Sequence, residues 1–317
     1  MNNLLRLYRA IKYLSITMRP KELAILSRYK GISPALVGRM VGEKGLFIIG
    51  EKVSAISPQN EFLLKGINMV EHLRQAGGKF DETAEGQIVL RIDGVNLFIE
   101  THEELFIAEE IFYRGVYNID LRHPFRFIDV GMNTATASLF FAANQFCLGV
   151  DAFELFPQTV CRAAQNLKLN PVIAKKINVN SGGLGKTAQT LELDYFPEHK
   201  GSIGVRGLGT YARPSAQSFC KEKVPVRLFS APDVFQRILD ANIGTFIVCK
   251  LDCEGSEYEI INSLLDENLL QRIDIFLIEW HEDGPVSIRE SLVKVGFQML
   301  LLDPYGPNHG MIYAWQE

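Results

Sequence analysis

No apolar run in this 317-residue chain approaches the ~18 residues that a membrane-spanning helix requires. The opening segment lacks a signal-peptide core, because its longest uncharged stretch runs only from Tyr13 to Met18. Cysteine is sparse. Cys147, Cys161, Cys220, Cys249 and Cys253 form no CxxC pair, which argues against a disulfide framework or a zinc ribbon. Free thiols in a reducing cytoplasm are the better reading. There is no basic excess: the net charge of −4 argues against nucleic acid as a partner. Internal repeats and low-complexity tracts are absent as well. What is present is a 47% apolar, 22% charged composition, enough to build a full core.

The charge is unevenly placed. Residues 1–30 carry seven basic side chains against Glu22, a net +6 that leaves −10 for the rest. Leu4, Leu7, Tyr8, Ile11, Leu14 and Met18 fall near one helical face. Such a helix suits an anionic membrane surface, so residues 1–20 are a candidate for peripheral membrane contact. A helix docked on its own protein is the commoner arrangement.

Residues 1–100 read as a helix-rich extension. Ser57-Pro58 opens one helix through Leu73, which Gly77-Gly78 ends. Gln87–Ile92 and Val95–Ile99 flank Asp93-Gly94, a two-residue hairpin signal. A helix follows over Glu103–Tyr113. From residue 101 to 317 the chain reads as one α/β domain. Strands are expected at Arg126–Val130, Leu148–Phe153, Ala174–Asn180, Thr245–Leu251 and Ile273–Trp280. Helices are expected at Thr134–Asn144, Pro157–Leu169, Ala231–Ala241, Ser256–Asp266 and Val286–Val295. That alternation predicts a parallel sheet covered on both faces. Phe297–Leu302 and Met311–Trp315 close it as an antiparallel pair, giving seven main strands. Gly182–Ser230 is a long insertion, read as a lid, a substrate loop or a disordered connection.

Phe127-Ile128-Asp129-Val130-Gly131-Met132-Asn133-Thr134-Ala135 is an apolar strand, an acid, a tight turn and a helix start. Gly131 permits a backbone approach that a Cβ would block, and Asn133 is the next best residue for a left-handed dihedral. The second strand ends in Phe153-Glu154, where a carboxylate can accept both hydrogens of a ribose diol. Together these signals indicate a bound nucleoside: NAD, FAD or S-adenosylmethionine. A dinucleotide turn needs further glycines to touch a pyrophosphate. They are missing here, and Asp129 suits an ammonium group better than a pyrophosphate.

A third cluster is Lys250-Leu251-Asp252-Cys253-Glu254-Gly255-Ser256-Glu257-Tyr258-Glu259. Ser256 and Glu259 form a capping-box pattern, and Glu257 sits in the first turn of the helix. Lys250, Asp252 and Glu254 have no such structural reason to end an apolar strand. The next strand closes on Glu279 and His281, at the same sheet edge if the two strands are parallel neighbours.

These blocks resemble the FkbM-type S-adenosylmethionine-dependent methyltransferases. Lys250-Leu251-Asp252-Cys253-Glu254-Gly255-Ser256-Glu257 is similar to the family's K-x-D-x-E-G-x-E signature, and Ile278-Glu279-Trp280-His281 to its last block. The stretch Glu110 to Tyr117 and the Asp129-Val130-Gly131-Met132-Asn133 turn support the match. Ala135 departs from it, as the family commonly has glycine there; so does Leu155-Phe156-Pro157, where proline usually follows the acid directly. The resemblance implies a Rossmann-like seven-stranded methyltransferase sheet and O-methylation of a sugar hydroxyl in a glycan, glycolipid or glycosylated metabolite. The cofactor would be S-adenosyl-L-methionine, held by Asp129, Gly131, Asn133, Thr134, Phe153, Glu154 and Asp252. His281, Asp252 and Glu254 are the base candidates, with Lys250 holding the acids or steadying an alkoxide. The acids could hold a divalent cation, but no dedicated metal spacing is present and no metal is assigned. Two rivals remain: a non-catalytic nucleoside-binding partner of a glycan-synthesis complex, and an NAD-dependent sugar-modifying enzyme.

Overall fold

The computed structural model describes residues 41–42, 45–48, 51–52, 58–209, 222–302 and 309–316. The basic segment 1–30 and its amphipathic helix lie outside the described residues. The chain divides into two compact units, Met1–Val116 and Tyr117–Glu317. Among the described residues no helix is long and apolar enough to cross a membrane. The described cysteines Cys147, Cys161, Cys249 and Cys253 are free thiols.

In the first unit the single helix expected after Ser57 is instead a 3-10 turn, Pro58–Asn60, and two helices, Phe62–Lys65 and Ile67–Gln75. The break falls at Gly66, where a Cβ would stand 2.5 Å from Leu105 Cδ2; glycine permits that approach and weakens the helix. The hairpin forms as the Asp-Gly pair predicts. Asp93 and Gly94 adopt φ of 47° and 76°, joining Ile88–Ile92 to Val95–Ile99. Lys79–Glu82 adds a third strand. The helix His102–Glu109 continues into a π-helical turn, Glu110–Arg114.

The second unit is built on a seven-stranded sheet. Its strands are β1 (Phe125–Val130), β2 (Cys147–Glu154), β3 (Ile177–Ser181), β4 (Phe246–Leu251), β5 (Ile275–His281), β6 (Gln298–Leu302) and β7 (His309–Trp315). The spatial order is β6-β7-β5-β4-β1-β2-β3. Only β7 runs against the others, pairing antiparallel with both β5 and β6. The third strand starts later than expected, because a 3-10 turn takes Ile173–Lys176. Helices α1 (Thr136–Ala143), α2 (Pro157–Leu169), α3 (Ala231–Ala241), α4 (Glu257–Asp266) and α5 (Val286–Lys294) alternate with the strands. Ile128, Val130, Cys249, Leu251 and Ile278 bury one sheet face against Phe235, Leu264 and Leu292. Phe127 stacks on Phe141 of α1 at 3.9 Å between ring centroids.

The first-wound half of the sheet (β1, β2, β3) meets the second half at the β1–β4 pair. Strand order reverses there, and the carboxyl ends beside such a switch point form a crevice for ligands. The insertion is more ordered than its sequence suggests. Gly183–Gly185, Glu222–Ser230 and Gln189–Tyr195 form a three-stranded sheet, closed by its own cluster of Phe156, Tyr195, Ile203, Val224 and Val226. A small hairpin pairs Ile203–Gly204 with Gly207–Leu208.

Candidate active site

The turn after β1 is set by steric necessity. Gly131 adopts φ +83°, and a Cβ there would lie 1.7 Å from the Asp252 carbonyl oxygen. Glycine thus lets the β1 turn pass directly beneath the end of β4. Asn133 takes the left-handed dihedral expected of it (φ 50°), and so does Ala135 (φ 66°), the position where the resembled family prefers glycine.

Lys250 locks this crossing. Its Nζ donates to the Gly131 carbonyl (2.8 Å) and to Asp129 Oδ1 (3.2 Å), and stands 3.3 Å from Asp252 Oδ2. The other Asp129 oxygen accepts from Ser138 Oγ at 2.6 Å. Burial opposes the charge on Lys250, but Asp129 and Asp252 outweigh it and hold its pKa above the ordinary lysine value. Lys250 and Asp129 are therefore a buried ion pair that braces the turn.

A pocket opens above this crossing, walled by Gly131, Asn133, Phe153, Glu154, Gly204 and Asp252 among others. Glu154 is buried. Its Oε2 accepts from the Asn133 N–H (2.9 Å) and its Oε1 from the Phe156 N–H (3.0 Å). Burial pushes its pKa up to about 7, against the pull of those two N–H groups and of Lys250; Asp129 adds to the rise. Asn133 Oδ1 is buried without a hydrogen-bond partner, an acceptor that a bound ligand would satisfy. Of the residues read from the sequence as cofactor-binding, Asp129 and Thr134 are not on this wall. Thr134 is buried, with its hydroxyl against that of Thr136 (3.2 Å) and its carbonyl accepting from Asn166.

The second half of the site gathers around His281. The register of β4 with β5, Leu251 opposite Ile278, brings Asp252 beside Glu279. His281 Nε2 lies 4.0 Å from Asp252 Oδ1, 3.7 Å from Glu254 Oε1 and 3.8 Å from Glu279 Oε1. Its Nδ1 meets Glu257 Oε1 at 3.1 Å, and its backbone N–H donates to the same oxygen at 2.9 Å. Burial lowers the His281 pKa, but Glu254, Glu257 and Glu279 together hold it well above the ordinary histidine value. Glu279 is pushed up to about 7, by burial first and then by Asp252.

Glu257 is the functional residue that sequence reasoning missed. The capping box expected at Ser256 does not form, since Ser256 makes no side-chain cap bond. Glu254 and Gly255 adopt φ of 54° and 99°, and the turn carries Gly255 N–H to Glu257 Oε2 at 2.8 Å. Glu257 is fully buried and ties this turn to His281. Its place in the first turn of α4 gave no hint of that partner.

The insertion supplies the cover. The hairpin over Ile203–Leu208 lies on the Glu254 turn so closely that a Cβ on Gly204 would stand 2.4 Å from the Glu254 carbonyl oxygen. Arg206 pairs with Asp283 and lies over the Tyr258 ring. Beside it is a second, smaller pocket, walled by Arg206, Leu208, Glu254, His281 and Glu282 among others.

Comparison with known proteins places this site in a family. The model of the FkbM methyltransferase domain matches residues 129–299, a span that holds the β1 turn, the acid cluster and His281. No curated protein matches the chain. Among solved structures, the FkbM methyltransferase of Methylobacillus flagellatus KT is 10% identical, with a TM-score of 0.40, over 80% of this chain and 60% of that one. The N-terminal domain of human METTL16 in complex with SAH is 14% identical, with a TM-score of 0.36, over 79% and 80%. The precorrin-6y C5,15-methyltransferase of Geobacter metallireducens GS-15 is 13% identical, with a TM-score of 0.36, over 69% and 91%. With the family model covering more than half of its length, the chain belongs to the FkbM methyltransferases.

Proposed function

We propose that the chain transfers the methyl group of S-adenosylmethionine to a hydroxyl oxygen of a saccharide, in a glycan, glycolipid or glycosylated metabolite. The observation that carries this reading is the position of Glu254, which walls both the larger cavity and the smaller one. A carboxylate there borders two ligands at once.

The larger pocket would receive the nucleoside. Glu154 would accept the two ribose hydroxyls with the lone pairs that Asn133 and Phe156 leave open. Asn133 Oδ1 offers a further buried acceptor, and Gly131 keeps the floor free of a side chain. When bound, S-adenosylmethionine supplies a methyl already activated on a sulfonium, so positioning provides most of the catalysis.

The smaller pocket would face the polyhydroxylated acceptor. Arg206, Glu254, His281 and Glu282 give it donors and acceptors around one apolar side chain, Leu208. An alcohol needs to lose its proton as its oxygen takes the methyl. His281 is ringed by carboxylates that favour its charged form, so the base role passes to Glu254. Glu254 would take the hydroxyl proton as the acceptor oxygen gains the methyl, with the methyl–sulfur bond breaking and S-adenosylhomocysteine as the leaving group. Glu257 keeps His281 in place behind it.

The test is Glu254→Gln, assayed with a panel of saccharide acceptors. Turnover is expected to fall by roughly 10²–10⁴-fold, with S-adenosylhomocysteine binding by calorimetry close to wild type. Near-normal turnover would remove Glu254 as the base. Binding of NAD in place of S-adenosylhomocysteine would overturn the cofactor assignment.

A further inference from the structure

We propose that Asp252, Glu279 and His281 bind a divalent transition-metal cation of the Mn²⁺ class. This goes beyond methyl transfer and stands or falls independently of it. One ligand atom from each residue can be chosen so that all lie within 4.8 Å of one another. An ion with ligands at ~2.0–2.2 Å holds neighbouring ligand atoms about 3–4 Å apart. The observed separations from Nε2 are 4.0 Å and 3.8 Å, so small side-chain movements complete the set.

Charge supports a cation of more than one unit. Asp129, Asp252, Glu254, Glu257 and Glu279 gather around Lys250 and His281, with Arg206 acting on Glu257. A divalent cation among these carboxylates would gain favourable charge pairing. Lys250 already compensates Asp129 and one oxygen of Asp252. A cationic cofactor in the larger cavity would face Asp252 and Glu254, but neither Glu279 nor His281 lines that cavity.

The histidine is also oriented as a ligand. Both Glu257 oxygens accept hydrogen bonds, Oε1 from the His281 backbone and Oε2 from Gly255. The Nδ1 facing Oε1 is therefore the donor, and Nε2 is turned toward Asp252 and Glu279. A carboxylate behind the far ring nitrogen is the usual support of a metal-bound histidine. Binding exchanges the Nε2 proton for the ion. Two carboxylates with one imidazole suit Mn²⁺ better than Mg²⁺, which prefers oxygen alone. Three protein ligands leave positions open to water or to an acceptor oxygen.

The sequence carried no metal spacing because the ligands come from two strands, Asp252 just past β4 and Glu279 and His281 on β5. Parallel pairing, not local spacing, unites them.

The full chain, stripped with chelator, is titrated with MnCl₂ while free Mn²⁺ is followed by electron paramagnetic resonance. One bound ion per chain is expected. Asp252→Asn and Glu279→Gln should each weaken binding at least tenfold, and Asp266→Asn on the exposed surface should leave it unchanged. Electron spin echo modulation on the wild-type complex should show the ¹⁴N coupling of a coordinated imidazole, a readout that needs no variant to fold. No bound Mn²⁺, unaltered affinity in both site variants, or binding without nitrogen coupling would each overturn the proposal.

Discussion

Replacing Glu154 by glutamine keeps the side chain's size and removes its charge. The carboxylate is buried and its pKa stands near 7 rather than at the ordinary 4.5. Below pH 7 it gains a proton and can no longer accept both ribose hydroxyls. Wild-type affinity for S-adenosylhomocysteine should therefore fall about tenfold between pH 8 and pH 6. The glutamine variant should bind at least about tenfold more weakly than wild type at pH 8, a loss of ~1.4 kcal/mol or more, and show no such pH step. Stability moves the other way. A carboxyl whose folded pKa is raised disfavours folding once it is ionised. That penalty is fully present above pH 7 and disappears below about pH 4.5; a shift from 4.5 to about 7 corresponds to roughly 3 kcal/mol. Glutamine escapes the penalty but turns an amide N–H₂ toward one of the two backbone donors, costing about 1–3 kcal/mol. The ligand-free variant should thus melt within a few degrees of wild type at pH 8 while its affinity drops. Calorimetric titration at both pH values, with parallel thermal melts, reads both quantities. Wild-type affinity in the variant, or a flat wild-type profile, would show that Glu154 only opens α2.

Gly131→Ala drives a Cβ into the Asp252 carbonyl, 1.7 Å away, at φ +83°. A denaturant midpoint should report a loss of about 3 kcal/mol or more, and an intact midpoint would contradict the crossing of β1 and β4 described above. Ala135→Gly relieves a left-handed alanine at φ 66°. It should stabilise the protein by about 0.5–1 kcal/mol, after subtracting the greater unfolded-state freedom of glycine; destabilisation would show that the alanine methyl packs better than its backbone suffers. Glu257→Gln sets an amide donor against the Gly255 N–H or the His281 donors. Unfolding should cost about 1–3 kcal/mol less, and turnover should fall while S-adenosylhomocysteine affinity holds. Unchanged stability would mean that Glu257 does not carry these bonds.

Local rules made part of this molecule legible in its sequence. The Asp93-Gly94 hairpin, the strand–helix alternation from Phe125 onward and the antiparallel closing pair follow from turn chemistry and hydrophobic period, which act over a few residues. The same holds for Gly131 and Asn133, whose dihedrals are demands on single residues. Other features were decided only when distant segments met. Lys250 and Asp129 stand 121 residues apart in the chain, and their pairing, which withdraws both from the cavity wall, depends on β4 lying beside β1. Gly66 broke a helix because Leu105 packs against it. The insertion found order through strand pairings such as Gln189 with Leu228, a register that no local pattern specifies. Ser256 lost its capping box, and Glu257 gained His281, because the Glu254-Gly255 turn took left-handed dihedrals beneath the Gly204 hairpin. Propensity and capping reach only about four residues along the chain, whereas the charges of this site are compensated across strands. The sequence therefore named most of the acids and the histidine, but only the tertiary structure decided which of them brace the turn, which wall the cavities and which face one another.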